Sequence, residues 1–162
     1  MNTQHFNISY ETFDGIEELS ITDQFLCIKA KDALASSHSP YSNFKVGTAV
    51  LLDSDQIVLG SNQENVAYPS GLCAERVALF TVGANYSNSV IKSMAITAHT
   101  ENFKIVNPVT SCGACLQTMA EYEKRQGSPI EILFYCIGGK ILKVKGVDCL
   151  LPFGFVEDRL GG

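Results

Sequence analysis

The spacing of apolar residues in the first quarter of the chain predicts a helix followed by a loop. In residues 20–38, "SITDQFLCIKAKDALASSH", apolar side chains follow Leu26 four, seven and eight residues later, at Ala30, Ala33 and Leu34. This spacing is typical of one helix face. Ser20 and the aspartate in the first turn favour a helix start. The Ser-Pro and Asn residues of 39–44 predict a loop.

The middle of the chain predicts a β-hairpin and a second helix. Residues 45–62 contain two apolar runs on either side of Asp-Ser-Asp, which is the pattern of two strands joined by a turn. Residues 73–86 have helical spacing, and we expect Val77, Ala78 and Phe80 to form the buried stripe of this helix.

The remaining segments complete an α/β pattern. Gly127 and Pro129 end the next helix. The alternation of strands and helices predicts a single domain over residues 1–162, with one mixed sheet of about five strands and helices packed on its faces. The segments are a buried strand (91–99), a helix (112–126), two strands (130–137 and 140–147) and an additional edge strand in 5–13.

Composition and charge narrow the class of function. The chain has 162 residues, 46% hydrophobic and 18% charged, which is typical of a globular domain. The net charge is −5 and no cluster of lysine and arginine occurs, so we expect a small or neutral ligand and not a nucleic acid. No apolar run reaches the length of a membrane span. The acidic N-terminal segment lacks the features of a signal peptide, which predicts a cytoplasmic protein.

The six cysteines divide into two groups. Cys27, Cys136 and Cys149 stand singly among apolar residues and are expected to behave as small buried hydrophobic side chains. A disulfide framework is not expected in a chain without a secretion signal. The other three cysteines stand where helices are predicted to begin.

Those three cysteines form a candidate metal site. Cys112 and Cys115 are three residues apart, so they share a helix face and can reach one ion, although C-x-x-C alone also fits a redox pair. Cys73 supplies a third thiol at another helix start, where the helix dipole favours the thiolate. Three protein ligands leave the fourth tetrahedral position open, as in catalytic Zn²⁺ sites.

Glu75 and Arg76 follow Cys73 directly. Glu75 could take a proton from a water on the metal and pass it to a substrate nitrogen, or it could simply favour the helix dipole. Arg76, three residues after Cys73, could donate a hydrogen bond to the ligand sulfur and offset the excess negative charge of three thiolates.

Four segments in order carry a family resemblance, namely "SPYSNFKVGTAV", "NQENVAYPSGLCAERVALF", "CGACLQ" and "LLPFGF". C-A-E followed by C-x-x-C matches the zinc-deaminase signature. The chain resembles the small, homotetrameric, three-cysteine cytidine deaminases. The resemblance implies a three-layer αβα fold, a zinc ion on Cys73, Cys112 and Cys115, and a nucleoside substrate with no nucleic-acid or membrane partner.

The resemblance also implies a reaction and a set of contacts. Cytidine and 2′-deoxycytidine would be deaminated hydrolytically in pyrimidine salvage, with zinc activating the water that attacks C4 and Glu75 protonating N3 and then the leaving amine. The implied substrate contacts are Asn62 and Glu64 to the ribose 3′-hydroxyl, Phe44 to the base and ribose, the backbone of Ala74 and Glu75 to the base, Thr110 to the leaving ammonia, and Tyr68 and Phe155 at the border, the last from a neighbouring subunit.

Two positions depart from the family pattern. Ser111 stands where the family usually has proline, and Leu116 stands where it usually has arginine. These departures leave two alternatives open. One is a deaminase of another aminopyrimidine nucleoside, and the other is a zinc-stabilised nucleoside-binding protein without turnover, against which the intact Glu75 argues.

Overall fold

The computed structural model of the protein describes residues 1–157, which contain six strands and three α-helices. The second and third helices begin and end within one residue of the predicted positions, whereas the first, predicted over residues 20–38, ends at Ala33 and is followed by a 3₁₀ turn at Leu34–Ser36. Ser20 caps the first helix through a 3.1 Å bond from the amide of Asp23. The strands are β1 (Glu11–Phe13), β2 (Phe44–Leu52), β3 (Ile57–Ser61), β4 (Ile91–Thr100), β5 (Glu131–Tyr135) and β6 (Ile141–Lys145), and the helices are α1 (Ile21–Ala33), α2 (Ala74–Asn85) and α3 (Gly113–Gln126).

The six strands form one mixed sheet in the order β1-β6-β5-β4-β2-β3. Strands β4 and β5 run parallel and are joined through α3, while the other neighbouring strands described are antiparallel. The sheet has six strands, one more than the approximate number predicted, because Glu11–Phe13 pairs with the outer edge of β6. The edge strand expected within residues 5–13 is therefore confirmed.

Helices pack on both faces of the sheet and give the expected αβα arrangement. On one face, Leu26, Cys27 and Ala30 of α1 are buried against residues such as Ala95 and Leu133 of the central strands. On the other face, residues of α2 and α3 share a second apolar core with β2, β4 and β5; Leu79, Met119, Val50, Ile96 and Phe134 are among them. Within residues 1–157, no helix is both long enough and apolar enough to cross a membrane.

The buried face of α2 differs from the predicted stripe. Ala78 is buried as expected, but Phe80 is 47% exposed and the core instead contains Leu79 and Val82. Successive residues of a helix point in directions about 100° apart. An error of one residue in assigning the buried face therefore exchanges a buried side chain for an exposed one. The actual face is the one that brings Ala78 against the neighbouring strand.

Gly60 of β3 permits that close contact. A Cβ atom at this position would lie 2.6 Å from the amide nitrogen of Ala78 and 2.8 Å from its Cβ. Any larger residue would therefore push the first turns of α2 away from the sheet. Because Cys73 is the N-cap of α2, the glycine also sets where this thiol lies relative to the sheet.

We predict that Gly60→Ala destabilises the protein by about 1–3 kcal/mol, because the added methyl group overpacks the contact between β3 and α2. The melting temperature should fall by several degrees, at about 2–4 °C per kcal/mol for a chain of this size. Thermal unfolding followed by circular dichroism measures the change. Gly113→Ala is the matched control, since a Cβ there would meet no atom within 4 Å. Equal melting temperatures for Gly60→Ala and the unaltered protein would contradict the prediction.

Candidate active site

The N-termini of α2 and α3 bring three thiols together. Cys73 is the N-cap of α2, Cys112 is the N-cap of α3, and Cys115 lies in the first turn of α3. The Sγ atoms of Cys73 and Cys112 are 3.9 Å apart, and those of Cys112 and Cys115 are 3.6 Å apart. All three sulfur atoms lie within 4.8 Å of one another.

These distances fit a tetrahedral zinc ion. Sulfur ligands about 2.3 Å from a common Zn²⁺ are separated by about 3.8 Å when the geometry is tetrahedral. The two measured separations, 3.9 and 3.6 Å, lie on either side of this value. Thiolates are also the donor type that zinc prefers, so the cluster matches the metal in both spacing and chemistry.

The other cysteines lie apart from the cluster. Cys27 and Cys136 are buried, as predicted, and burial raises the pKa of the Cys27 thiol to about 12. Cys149 was also expected to be buried, but it is only half-buried beside a short 3₁₀ turn at Val147–Cys149. No disulfide occurs among the six cysteines, all of which lie in the described residues.

Neither helix start has a side-chain cap. Cys73 and Cys112 accept no capping hydrogen bond from the first turns of their helices, so the free amide groups of both turns direct partial positive charge at the cluster. A hydrogen bond from Cys115, helped by Arg76, lowers the pKa of Cys73 to about 6 despite its partial burial. The pKa of Cys115 is raised, because its proton is held in that bond and its side chain is buried.

Arg76 lies against the cluster as the i+3 spacing predicted. Its Nη2 atom is 3.8 Å from the sulfur of Cys73, which is within the range of a hydrogen bond to sulfur. Its Nε atom is buried and has no hydrogen-bond partner among residues 1–157. The positively charged guanidinium group therefore lies beside the thiols and can offset their negative charge.

Cys73 and Cys112 lie in the wall of a cavity of about 440 Å³, and Cys115 is buried behind them. Glu75 lines this cavity as well and is only 4% exposed, although glutamate is seldom buried without a function or a partner. Its position in the first turn of α2 puts its carboxylate on the same wall as Cys73 and Cys112. The other lining residues are Val46, Asn62, Gln63, Glu64, Asn65, Tyr68, Gly71, Leu72, Arg76, Ile96, Val109 and Thr110.

Asn62 faces the cavity, but its carboxamide group is already bonded to the protein. Its Oδ1 accepts hydrogen bonds from the amide of Val46 at 2.8 Å and from the hydroxyl of Ser37 at 2.6 Å. Its Nδ2 donates to the carbonyl of Phe44 at 2.8 Å. One N–H of the amide group remains for a ligand, so the side chain both shapes the start of β2 and can offer a single donor.

Glu64 is similarly engaged with the loop that precedes β2. One carboxylate oxygen accepts from the amides of Tyr41 at 2.9 Å and Ser42 at 3.3 Å, and the other accepts from the Ser42 hydroxyl. These bonds, with the Ser42 hydroxyl first, lower the pKa of Glu64. An ionised carboxylate therefore lies at the cavity wall.

The other expected contacts differ in how close they come to the cavity. Thr110 and Tyr68 line it, and the exposed ring of Tyr68 makes an edge-to-face contact with Tyr41 at 5.7 Å. Ala74 is fully buried at the start of α2. Phe44 and Phe155 are not among the lining residues of this chain.

Two contacts explain where these phenylalanines lie. Phe44 stacks on Phe103 with the ring centroids 6.2 Å apart, and Phe103 belongs to the loop after β4, far from Phe44 in sequence. Phe155 is held through its backbone by Gln117 of α3, with bonds of 2.8 and 2.9 Å. Phe103 and the apolar lining residues Leu72, Ile96 and Val109 were not predicted, since an isolated apolar residue resembles any core residue in sequence.

The two departures from the family pattern are a buried residue, Leu116, and a partly buried one, Ser111. Leu116 is 8% exposed and packs in the apolar core between α3 and the sheet. Its uncharged side chain cannot offset the negative charge of the thiolates. Ser111 has a buried hydroxyl with no hydrogen-bond partner in the described part of the chain.

Comparison with known proteins identifies the family. Residues 20–127, two thirds of the chain, match the cytidine and deoxycytidylate deaminase zinc-binding region. The chain belongs to this family. The match spans the three cysteines, and together with their geometry it identifies Zn²⁺ as the cofactor of this family member.

Similar proteins and structures agree with the assignment. The chain is 39% identical to the cytidine deaminase of Halalkalibacterium halodurans over 60% of its own length and 70% of the relative's. It is 40% identical to that of Sporosarcina psychrophila over 60% and 67% of the two chains. The cytidine deaminase structure from Burkholderia pseudomallei superposes with a TM-score of 0.70 at 31% identity, covering 85% of this chain and all of that one.

We predict that Cys112→Ala abolishes zinc binding and lowers the melting temperature, because two remaining thiols cannot complete the site and metal binding is coupled to folding. Metal analysis of freshly purified protein should give about one zinc per unaltered chain and almost none in the variant. Cys149→Ala is the control, since this half-buried thiol lies outside the cluster and should leave the zinc content unchanged. A variant at position 112 that retains a full equivalent of zinc would contradict the assignment.

Proposed function

We propose that the protein catalyses hydrolytic deamination of cytidine and 2′-deoxycytidine, releasing ammonia and the corresponding uridine in pyrimidine salvage. The observation that carries this proposal is the buried side chain of Glu75 in the same cavity wall as Cys73 and Cys112, two of the three clustered thiols. A zinc site without a neighbouring proton carrier would suit a structural or binding role, whereas a carboxylate beside it suits hydrolysis.

The role of Glu75 is proton transfer. Bound zinc supplies Lewis-acid activation of a water molecule. The Glu75 carboxylate takes up the proton that this water loses, delivers it to N3 of the pyrimidine, and later carries a proton to the departing amine nitrogen. Its amide N–H, one of the uncapped donors of the first turn of α2, is free to bond the polar edge of the base.

The sugar binds at Asn62 and Glu64. The remaining N–H of Asn62 and the ionised carboxylate of Glu64 offer one donor and one acceptor to the ribose 3′-hydroxyl, and both residues line the cavity. The ring of Phe44 stacks on Phe103 and does not line the cavity, so its contact with the base and ribose follows from the family resemblance. Polar groups of the site that would pair with a sugar hydroxyl favour the nucleoside over free cytosine.

We predict that Glu75→Gln keeps the fold and the zinc but lowers kcat by about 10²–10⁴-fold or more, because the amide cannot carry protons. The loss of ultraviolet absorbance as cytidine becomes uridine measures turnover. Glu121→Gln, an exposed position on α3, is the control and should be fully active. If Glu75→Gln retained more than about a tenth of the unaltered rate, outside that range, another residue would be the proton carrier.

The active form is a homotetramer, acting in the cytoplasm, where free zinc-binding thiols stay reduced. The support for association is the apolar surface around the cavity and at the C-terminal segment. Phe153 is 94% exposed, Phe155 is 72% exposed, Tyr68 is 72% exposed and Val66 is 79% exposed. Exposed apolar residues that form a large patch mark interaction sites in soluble proteins, and Phe153 and Phe155 are two residues apart in the chain.

Phe155→Ala should raise KM for cytidine roughly tenfold, since truncating an aromatic anchor at an interface commonly costs more than 1 kcal/mol. Steady-state kinetics give the KM, and sedimentation should show an assembly of four chains for the unaltered protein. Phe6→Ala removes another exposed aromatic ring, in the N-terminal segment, and should change neither quantity. A fully active monomer would contradict the association.

A further inference from the structure

The hydroxyl of Ser42 joins two of the residues to which substrate contacts are assigned. It donates a hydrogen bond to Oε1 of Glu64 and accepts one from the amide of Phe44 at 3.0 Å. Ser42 itself is exposed and does not line the cavity. The small side chain of Ser42 thus connects the carboxylate of Glu64 with the backbone of Phe44.

The backbone around Ser42 is shaped for this arrangement. Asn43 adopts a left-handed conformation with φ of 54°, which asparagine tolerates better than most residues, and its amide bonds the carbonyl of Ser39 at 3.0 Å. The turn directs the amides of Tyr41 and Ser42 at Oε2 of Glu64. The backbone therefore holds one carboxylate oxygen, and among the described residues the Ser42 hydroxyl is the group that holds the other.

The two carboxylate oxygens consequently differ in what they can offer a ligand. Oε2 accepts two backbone hydrogen bonds, which occupy both of its lone-pair directions, whereas Oε1 accepts, within residues 1–157, only that of Ser42 and keeps one direction free. Any hydroxyl of a ligand that binds Glu64 has to use this remaining direction. The orientation of Oε1, and hence the direction of that lone pair, depends on the Ser42 hydroxyl.

We propose that Ser42 is a positioning residue that aims Oε1 of Glu64 at the 3′-hydroxyl of the nucleoside while holding the backbone of Phe44 in place. This role rests on the proposed function, because it requires a sugar bound at Glu64. The hydrogen bonds that already lower the pKa of Glu64 keep the carboxylate ionised as an acceptor. Binding of the sugar then needs little reorganisation of the loop, which is how preorganisation improves affinity.

Steady-state kinetics of one variant, measured on cytidine and on an analogue that lacks the 3′-hydroxyl, test the role. Ser42→Ala should raise KM for cytidine by roughly tenfold or more, the usual effect of losing a hydrogen bond to a charged group, and change kcat much less. With 3′-deoxycytidine, which lacks the hydroxyl that Oε1 would accept, the same variant should lower kcat/KM far less. Ser42→Thr retains a hydroxyl and should restore most of the affinity.

Ser87→Ala is the matched control, because Ser87 is an exposed serine in the connection between α2 and β4. Equal losses of kcat/KM on cytidine and 3′-deoxycytidine would overturn the role, since the hydroxyl would then act on the loop as a whole. An unchanged or lower KM for cytidine in Ser42→Ala would also overturn it. Absence of cytidine turnover in the unaltered protein would instead overturn the proposed function, and this role with it.

Discussion

Three thiols crowded within 4.8 Å must all lose their protons to hold one dication, and the rest of the site is arranged around that electrostatic constraint. Three thiolates and Zn²⁺ leave a net charge of −1, which by itself would weaken the ion as a Lewis acid. The free amide groups at two helix N-termini and the guanidinium of Arg76 supply the compensating positive charge. The convergence of α2 and α3 is therefore an electrostatic requirement as well as a packing arrangement.

That convergence depends on ordinary core packing at a distance from the metal site. Gly60 lets α2 lie close against β3, and Leu79 and Met119 fill the space between the two helices and the sheet. The pair of parallel strands β4 and β5, joined through α3, places the start of α3 beside the start of α2. The positions of the sulfur atoms thus depend on apolar packing contacts of residues that take no part in metal binding or catalysis.

Asn62 and Glu64 in the cavity wall are positioned in a different way. Asn62 and Glu64 are bonded to residues of the segment before and at the start of β2, so the same groups that face the cavity also fold the loop. Polar groups that are already held in place need little free energy of reorganisation when a ligand binds. The cavity wall is therefore held in place in two ways, at Cys73 and Cys112 by the helix termini and at Asn62 and Glu64 by side-chain hydrogen bonds.

The sequence by itself determined the order of the elements, the family and the three thiols with Glu75 and Arg76, because helix starts, apolar periods and the C-x-x-C spacing are local patterns. The tertiary structure decided that Leu79 and not Phe80 of α2 is buried, that Phe44 stacks on Phe103, and that Asn62 and Glu64 are tied to the loop at Ser42. These features join residues 16 to 59 positions apart or depend on the rotation of a helix against a sheet. Local patterns cannot contain them, since they arise only when distant parts of the chain pack together.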